Sequence, residues 1–88
     1  MSPRLPAPPD EYATAVAAAM QAERAALGLT VAELARRSGM VGITLHRVLH
    51  SQRAMTVAQL AAVAAVFNMR PSQLLAEAER RSATPRKQ

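Results

Sequence analysis

The chain has no cysteine, a single lysine at its next-to-last position, and no apolar run long enough to span a bilayer. Each absence closes a class of function. Without cysteine there are no disulfides and no thiolate to act as nucleophile or metal ligand. Without a long apolar run no membrane span is expected, and the proline-rich opening does not read as a signal peptide. A soluble, cytoplasmic protein is the expectation. There is also no lysine ahead of the tail and no set of Asp, Glu, His and Ser at catalytic spacing. An enzyme is therefore not indicated, and no cofactor is called for.

What is present fits one small domain of 88 residues. Half of the chain is apolar, but 20 residues are alanine. The core is expected to come from the larger apolar side chains, with modest stability or help from dimerisation. The net charge of +5 is unevenly placed: Arg24, Arg36, Arg37, Arg47, Arg53 and Arg70 share the stretch from Arg24 to Ala76 with one acid, Glu33. The other acids, Asp10, Glu11, Glu23, Glu77 and Glu79, lie outside it. Such a distribution suits a polyanionic partner, although a solvated arginine-rich surface has the same composition.

Residues 1–9, MSPRLPAPP, hold four of the six prolines and read as an extended arm. Asp10 and Glu11 then open an alanine-rich helix through about Leu27, with Ala13, Val16, Met20 and Leu27 on one face and Gly28 as its stop. A second helix is expected from Val31 to Ser38. Thr30 and Glu33 stand at the spacing of a capping box. A third follows from Gly42 to Leu49, then a polar loop at 51–55. TVAQL at 56–60 echoes TVAEL at 30–34 because both begin with the same cap. The fourth helix presents Val57, Leu60, Val63, Ala64 and Phe67 inward and ends at Asn68. Pro71 opens a last helix to about residue 81, with Leu74 and Leu75 inward and Arg80 and Arg81 at its negative end. Residues 82–88 read as a basic tail. Five helices with short loops and no strand signal predict an all-α fold.

The most specific stretch is TVAELARRSGMVGITLHRVLH at 30–50. Leu34 faces the core and Ala35 is small where the next helix must cross closely. Gly39 supplies the left-handed conformation that closes the helix. Met40 turns inward as an apolar plug, and Leu45 and Val48 pack back onto Leu34 and Ala35. An ordinary αα-hairpin explains Gly39 and the apolar stripe, but not the small residue at 35. The pattern is that of a helix-turn-helix.

With these residues in place, the chain resembles the Xre/Cro family of phage and bacterial repressors. The resemblance lies in LTVAELARRSGM at 29–40, RVLHSQR at 47–53 and LAAVAAVFNMRPSQLL at 60–75, and spans about residues 12–78. It implies a compact five-helix, lambda-repressor-like domain binding double-stranded operator DNA as a homodimer, in the bacterial cytoplasm or nucleoid. By position, Gly42, Ile43, Thr44, His46 and Arg47 would face bases in the major groove. Thr30 and Val31, with Ser51, Gln52 and Arg53, would meet phosphates. The sequence departs from the family at Val31, where relatives offer a polar amide, at Val41, where they carry a capping Ser or Thr, and at Gly42, where a polar side chain is common.

Arg47 is the strongest candidate for base readout, because a guanidinium bonds guanine N7 and O6 together. Ile43 and Thr44 suit thymine methyl groups. Arg24, Arg36, Arg37, Arg53 and His50 are candidate phosphate contacts, which position without reading sequence. Arg24 has a structural alternative, tying down carbonyls at the end of the recognition helix. His46 and His50 share a helix face at the i, i+4 spacing of metal sites, but no third ligand is evident, so no metal is expected. Arg4 in the arm and Arg80, Arg81, Arg86 and Lys87 near the end read as solvated charge. The leading expectation is a promoter-blocking repressor or Cro-like protein. The alternative is an antitoxin whose long first helix holds a toxin partner.

Overall fold

The computed structural model describes residues 11–83. They form α1 (Glu11–Ala26), α2 (Val31–Ser38), α3 (Gly42–Leu49), α4 (Val57–Val66) and α5 (Pro71–Ala83). No strand occurs among the described residues. The proline-rich arm at 1–9, Asp10, and residues 84–88 with Arg86 and Lys87 lie outside them. The last helix continues two residues beyond its expected end.

Two helices start on the same reciprocal cap. Thr30 Oγ1 accepts the N–H of Glu33 at 3.0 Å, while the Glu33 carboxylate accepts the N–H of Thr30 at 2.8 Å. Thr56 and Gln59 repeat this at α4, at 3.0 and 2.9 Å. Each box satisfies two amides that a helix start would otherwise leave open. At α5 the Gln73 side chain reaches back to the N–H of Arg70 at 2.7 Å, and Pro71 needs no partner there. Helix α3 starts without a side-chain cap, as Val41 dictates.

Four helices also end on one device. Gly28, Gly39, Ser51 and Asn68 all take left-handed φ values, +70°, +76°, +60° and +60°. In each case the next residue's N–H turns back to a carbonyl five positions earlier. These bonds are Leu29 to Arg24 at 3.0 Å, Met40 to Ala35 at 3.0 Å, Gln52 to Arg47 at 2.8 Å and Met69 to Ala64 at 2.9 Å. An apolar residue after such a turn is directed onto the helix it has just left. Leu29 and Met40 are accordingly buried, and Met69 packs against the core. Gln52 is the exception and stays exposed.

The core joins Val16 and Met20 of α1, Leu34 and Ala35 of α2, and Leu45, Val48 and Leu49 of α3. Leu60, Val63 and Ala64 of α4, Phe67, and Leu74 and Ala78 of α5 complete it. Two expected core positions are outside. Leu27 is 52% exposed at the end of α1, although its N–H still bonds Glu23 in helical fashion at 3.1 Å; Leu29, after the glycine turn, is buried instead. Val57 is 81% exposed, since the first turn of α4 overhangs the packed part of that helix. The alanines contribute more than expected: Ala15, Ala17, Ala19 and Ala78 are buried, and the helices that carry them, α1 and α5, form the most extensive helix pair. Small side chains let helix axes approach closely, so alanine here is core material.

A Cβ added at Gly39 would meet nothing within 4 Å, so its substitution is strained by backbone conformation alone. Gly39→Val is expected to cost about 1–3 kcal/mol. Ser51→Gly, which relieves the same strain at a residue that already has a side chain, should gain about 1 kcal/mol. Urea denaturation reads both; two unchanged midpoints would contradict the cap geometry.

Candidate nucleic-acid interface

One face of α3 is consumed by packing: Leu45 is fully buried, Val48 and Leu49 nearly so. The turn at Gly39 and Met40 seats the start of α3 against α2, so the opposite face points to solvent. That face holds Gly42, Ile43, His46, Arg47 and His50, and Val41 stands exposed at its start. Val41 and Ile43, 68% and 60% exposed, are large apolar side chains with no intramolecular cover. Beyond the helix, Gln52 and Arg53 continue the exposed surface, while Ser51 is half-buried at the left-handed position.

Of the five expected base-facing residues, four thus share the open face. Thr44 does not share it fully: it is half-buried and lines a shallow cleft with Ser38, Met40, Gln59 and Ala62. Arg36 and Arg37 are exposed on α2. Val31 is half-buried against the core, which leaves its backbone N–H, without an intrahelical partner, as its polar contribution. The Thr30 oxygen accepts within the capping box, and its hydroxyl also faces the Glu33 carboxylate.

Arg24 lies apart from this surface. Its guanidinium donates from Nη1 to the carbonyl of Leu29 at 2.7 Å and from Nε to Gln21 Oε1 at 2.9 Å. The carbonyl it ties is in the turn before α2, not at the end of α3, where the structural alternative had it. Arg80 and Arg81 pair with Glu77 on α5, the latter at 3.3 Å.

The two histidines interact in a way the spacing alone did not specify. Their rings stack with centroids 4.1 Å apart and planes 30° apart. His50 Nδ1 donates to the carbonyl of His46 at 2.8 Å, closing the end of α3. Among the described residues no third His, Asp or Glu joins them.

Glu33 supplies the one carboxylate in this basic region. Its pKa is lowered, first by the Thr30 backbone N–H that it accepts, then by the Thr30 side chain, with smaller effects from Arg37 and Arg36. It therefore stays ionised at the start of α2. A phosphate brought to Thr30 and Val31 meets this charge, and the flanking arginines oppose the repulsion. Val41 is the exposed residue that sequence reasoning passed over; its missing cap was noticed, its position on the open face was not.

No protein-family model matches the chain, and no curated protein matches its sequence. Solved structures do match. A crystal structure of the clp gene regulator ClgR from Corynebacterium glutamicum has a TM-score of 0.78 at 26% identity, over 83% of this chain and 78% of that one. The fold is that of helix-turn-helix regulators. A second ClgR structure gives 0.75 at 26% identity, covering 82% of this chain and 92% of that one. The restriction-modification controller protein C.AhdI from Aeromonas hydrophila gives 0.68 at 22% identity, over 70% and 94% of the two chains. That last likeness is one of fold alone. The resemblance carried by residues 29–40 and 60–75 thus holds in three dimensions.

The depressed Glu33 pKa has a consequence for stability. A carboxylate whose folded pKa lies below its unfolded value stabilises fully above the unfolded value, and that contribution is lost as pH falls through the folded one. Wild-type melting temperature should therefore drop below the ordinary glutamate range partly through Glu33. Glu33→Gln keeps an acceptor in the box, as Gln59 does in α4, and should flatten this acid limb. An acid limb unchanged in the variant would show that the Glu33 charge does not contribute.

Proposed function

We propose that the protein is a sequence-specific DNA-binding transcriptional regulator that inserts α3 into the major groove. The observation that carries this reading is the exposed strip Gly42, Ile43, His46 and Arg47, on a helix whose opposite face is buried through Leu45, Val48 and Leu49. A helix held by one face and free on the other is what major-groove docking requires. Arg47 can donate two bonds to guanine, and Ile43 offers an apolar contact for a thymine methyl. Arg53, Gln52, Arg36 and Arg37 are assigned to phosphates, with the Thr30 hydroxyl and the N–H of Val31. His46 is assigned to a base and His50 to a phosphate. Thr44, half-buried, is assigned to the edge of the base-reading set. Arg24 keeps further guanidinium N–H groups beyond those bonded to Leu29 and Gln21, and these are assigned to phosphate.

The similarity to the clp gene regulator ClgR, by its name a controller of gene expression, supports the same class. The mode of action proposed is repression: a homodimer places two copies of α3 in successive major grooves about 34 Å apart and blocks the promoter. A phage or Cro-like repressor fits this mode. It places the protein in the cytoplasm with the nucleoid; no helix among the described residues is long and apolar enough to cross a membrane. The toxin-partner alternative needs a spare docking face on α1. Its exposed positions are mostly small, among them Thr14, Ala18, Ala25 and Ala26, and the two large exposed side chains, Tyr12 and Leu27, stand at opposite ends of the helix with no central anchor between them. The regulator reading is therefore the one retained.

Selection of bound fragments from a random duplex pool tests the proposal, with a palindromic consensus as the expected product and the absence of enrichment as the contrary one. On the selected site, Arg47→Ala should cost about 1–3 kcal/mol and relax preference at one base position. Equal affinity for selected and random DNA, unchanged by this substitution, would remove α3 from the interface. Arg53→Ala should weaken all duplexes alike and lower the salt slope by about one unit. A loss confined to one sequence would contradict its phosphate role.

A further inference from the structure

We propose that His46 and His50 form a two-imidazole site for a divalent ion of the copper, nickel and zinc group, and that occupancy of this site competes with duplex DNA. The competition rests on the regulator reading above; the site itself does not. Its basis is the state of the two rings. The acceptor of the His50 Nδ1 bond is a backbone carbonyl, which cannot donate, so the proton resides on Nδ1. In the neutral form of this ring the lone pair is then on Nε2. A ring nitrogen bonded to a carbonyl while the other is left as a Lewis base is the arrangement found behind most metal-ligating histidines.

His46 supplies the second donor. Its ring is exposed and, among the described residues, held only by the stack on His50, which a turn about its own side-chain bonds would open. The rings already lie 4.1 Å apart on one face of α3. A metal held at about 2.0–2.1 Å by two imidazoles needs their donor nitrogens about 3 Å apart, which a rotation of the His46 ring provides. The donor chemistry then selects the ion. With no carboxylate in the set, magnesium and calcium find no suitable ligands, whereas imidazole nitrogen suits copper, nickel and zinc. Water completes the coordination. Arg47 and Arg53 oppose a dication here, but the exposed setting screens that repulsion.

The position gives the site its consequence. His46 and Arg47 are adjacent on the face that α3 offers to DNA, so a hydrated ion between the histidines fills space the duplex must occupy. It also withdraws both imidazoles from the nucleic acid. Metal and DNA then exclude one another through a shared surface, with no conformational change required.

The test is a calorimetric titration of the full, untagged chain with nickel chloride alone. The expected result is one ion per chain, with this binding lost in both His46→Ala and His50→Ala. Both side chains are exposed, so the variants should retain wild-type helical circular dichroism; His50→Ala also loses the bond that closes α3, so His46→Ala is the variant expected to keep the wild-type melting temperature. Both also retain the N-terminal amine, so binding there would persist in them. Nickel binding equal to wild type in either variant, or no stoichiometric binding by wild type, overturns the site. In a second arm, fluorescence anisotropy on the selected duplex should show weaker wild-type binding with saturating nickel, reversal by a chelator, and no nickel effect in the variants. Wild-type DNA affinity indifferent to nickel overturns the competition. A protein that binds no duplex even without metal overturns the regulator reading and the competition with it, while the first titration still decides the site.

Discussion

Met40, buried in the core directly after the left-handed Gly39, is the contact on which the placement of α3 depends. The chain leaves α2 at Ser38 and begins α3 at Gly42. Within that short reversal the N–H of Met40 turns back to Ala35 while its side chain enters the core. The start of α3 is thereby held against α2, and Leu45, Val48 and Leu49 follow inward in helical register. Everything assigned to DNA is the geometric complement of those three residues. A longer or looser turn would leave the same outward residues on a helix without a fixed direction.

The repetition of that left-handed ending at Gly28, Ser51 and Asn68 shows how a chain with few large side chains keeps short helices in place. Each ending satisfies carbonyls that a helix leaves open, and three of the four drive an apolar residue into or onto the core. The ending of α3 is built differently. A serine bears the positive φ and a glutamine follows, so the device there closes the helix without contributing to the core. This is the end at which Gln52 and Arg53 project. Stability is given up locally where the surface must remain polar and open.

The electrostatics follow the same division between frame and surface. Glu33 is held by the Thr30 amide at the start of α2, and Glu77 by Arg80 and Arg81 on α5, so these carboxylates serve the ends and faces of their own helices. Arg47 and Arg53, by contrast, stand exposed at and beyond the end of α3. In α1 and α5 the scarcity of bulky residues is offset by proximity, with buried alanines letting the two helices meet closely.

Local rules were legible in the sequence because they depend on a few neighbouring residues. The two Thr-led capping boxes, the glycine at 39, the inward Met40 and the bounds of α2 and α3 all follow from side chains within one or two turns. So did the outward set on α3, since helical periodicity separates it from Leu45 and Val48. What needed the tertiary structure were facts set by another part of the chain. Burial of the α1 alanines depends on how near α5 comes, and the exposure of Val57 on where α4 overhangs the core. Leu29 replaced Leu27 because a turn, not a helix face, chose the buried side chain. Thr44 is half-buried in a cleft that residues of α2 and α4 complete, Arg24 found its carbonyl before α2, and two histidines one helical turn apart became a stacked pair with one ring tied. Periodicity assigns a face to a residue; only packed neighbours decide what that face meets.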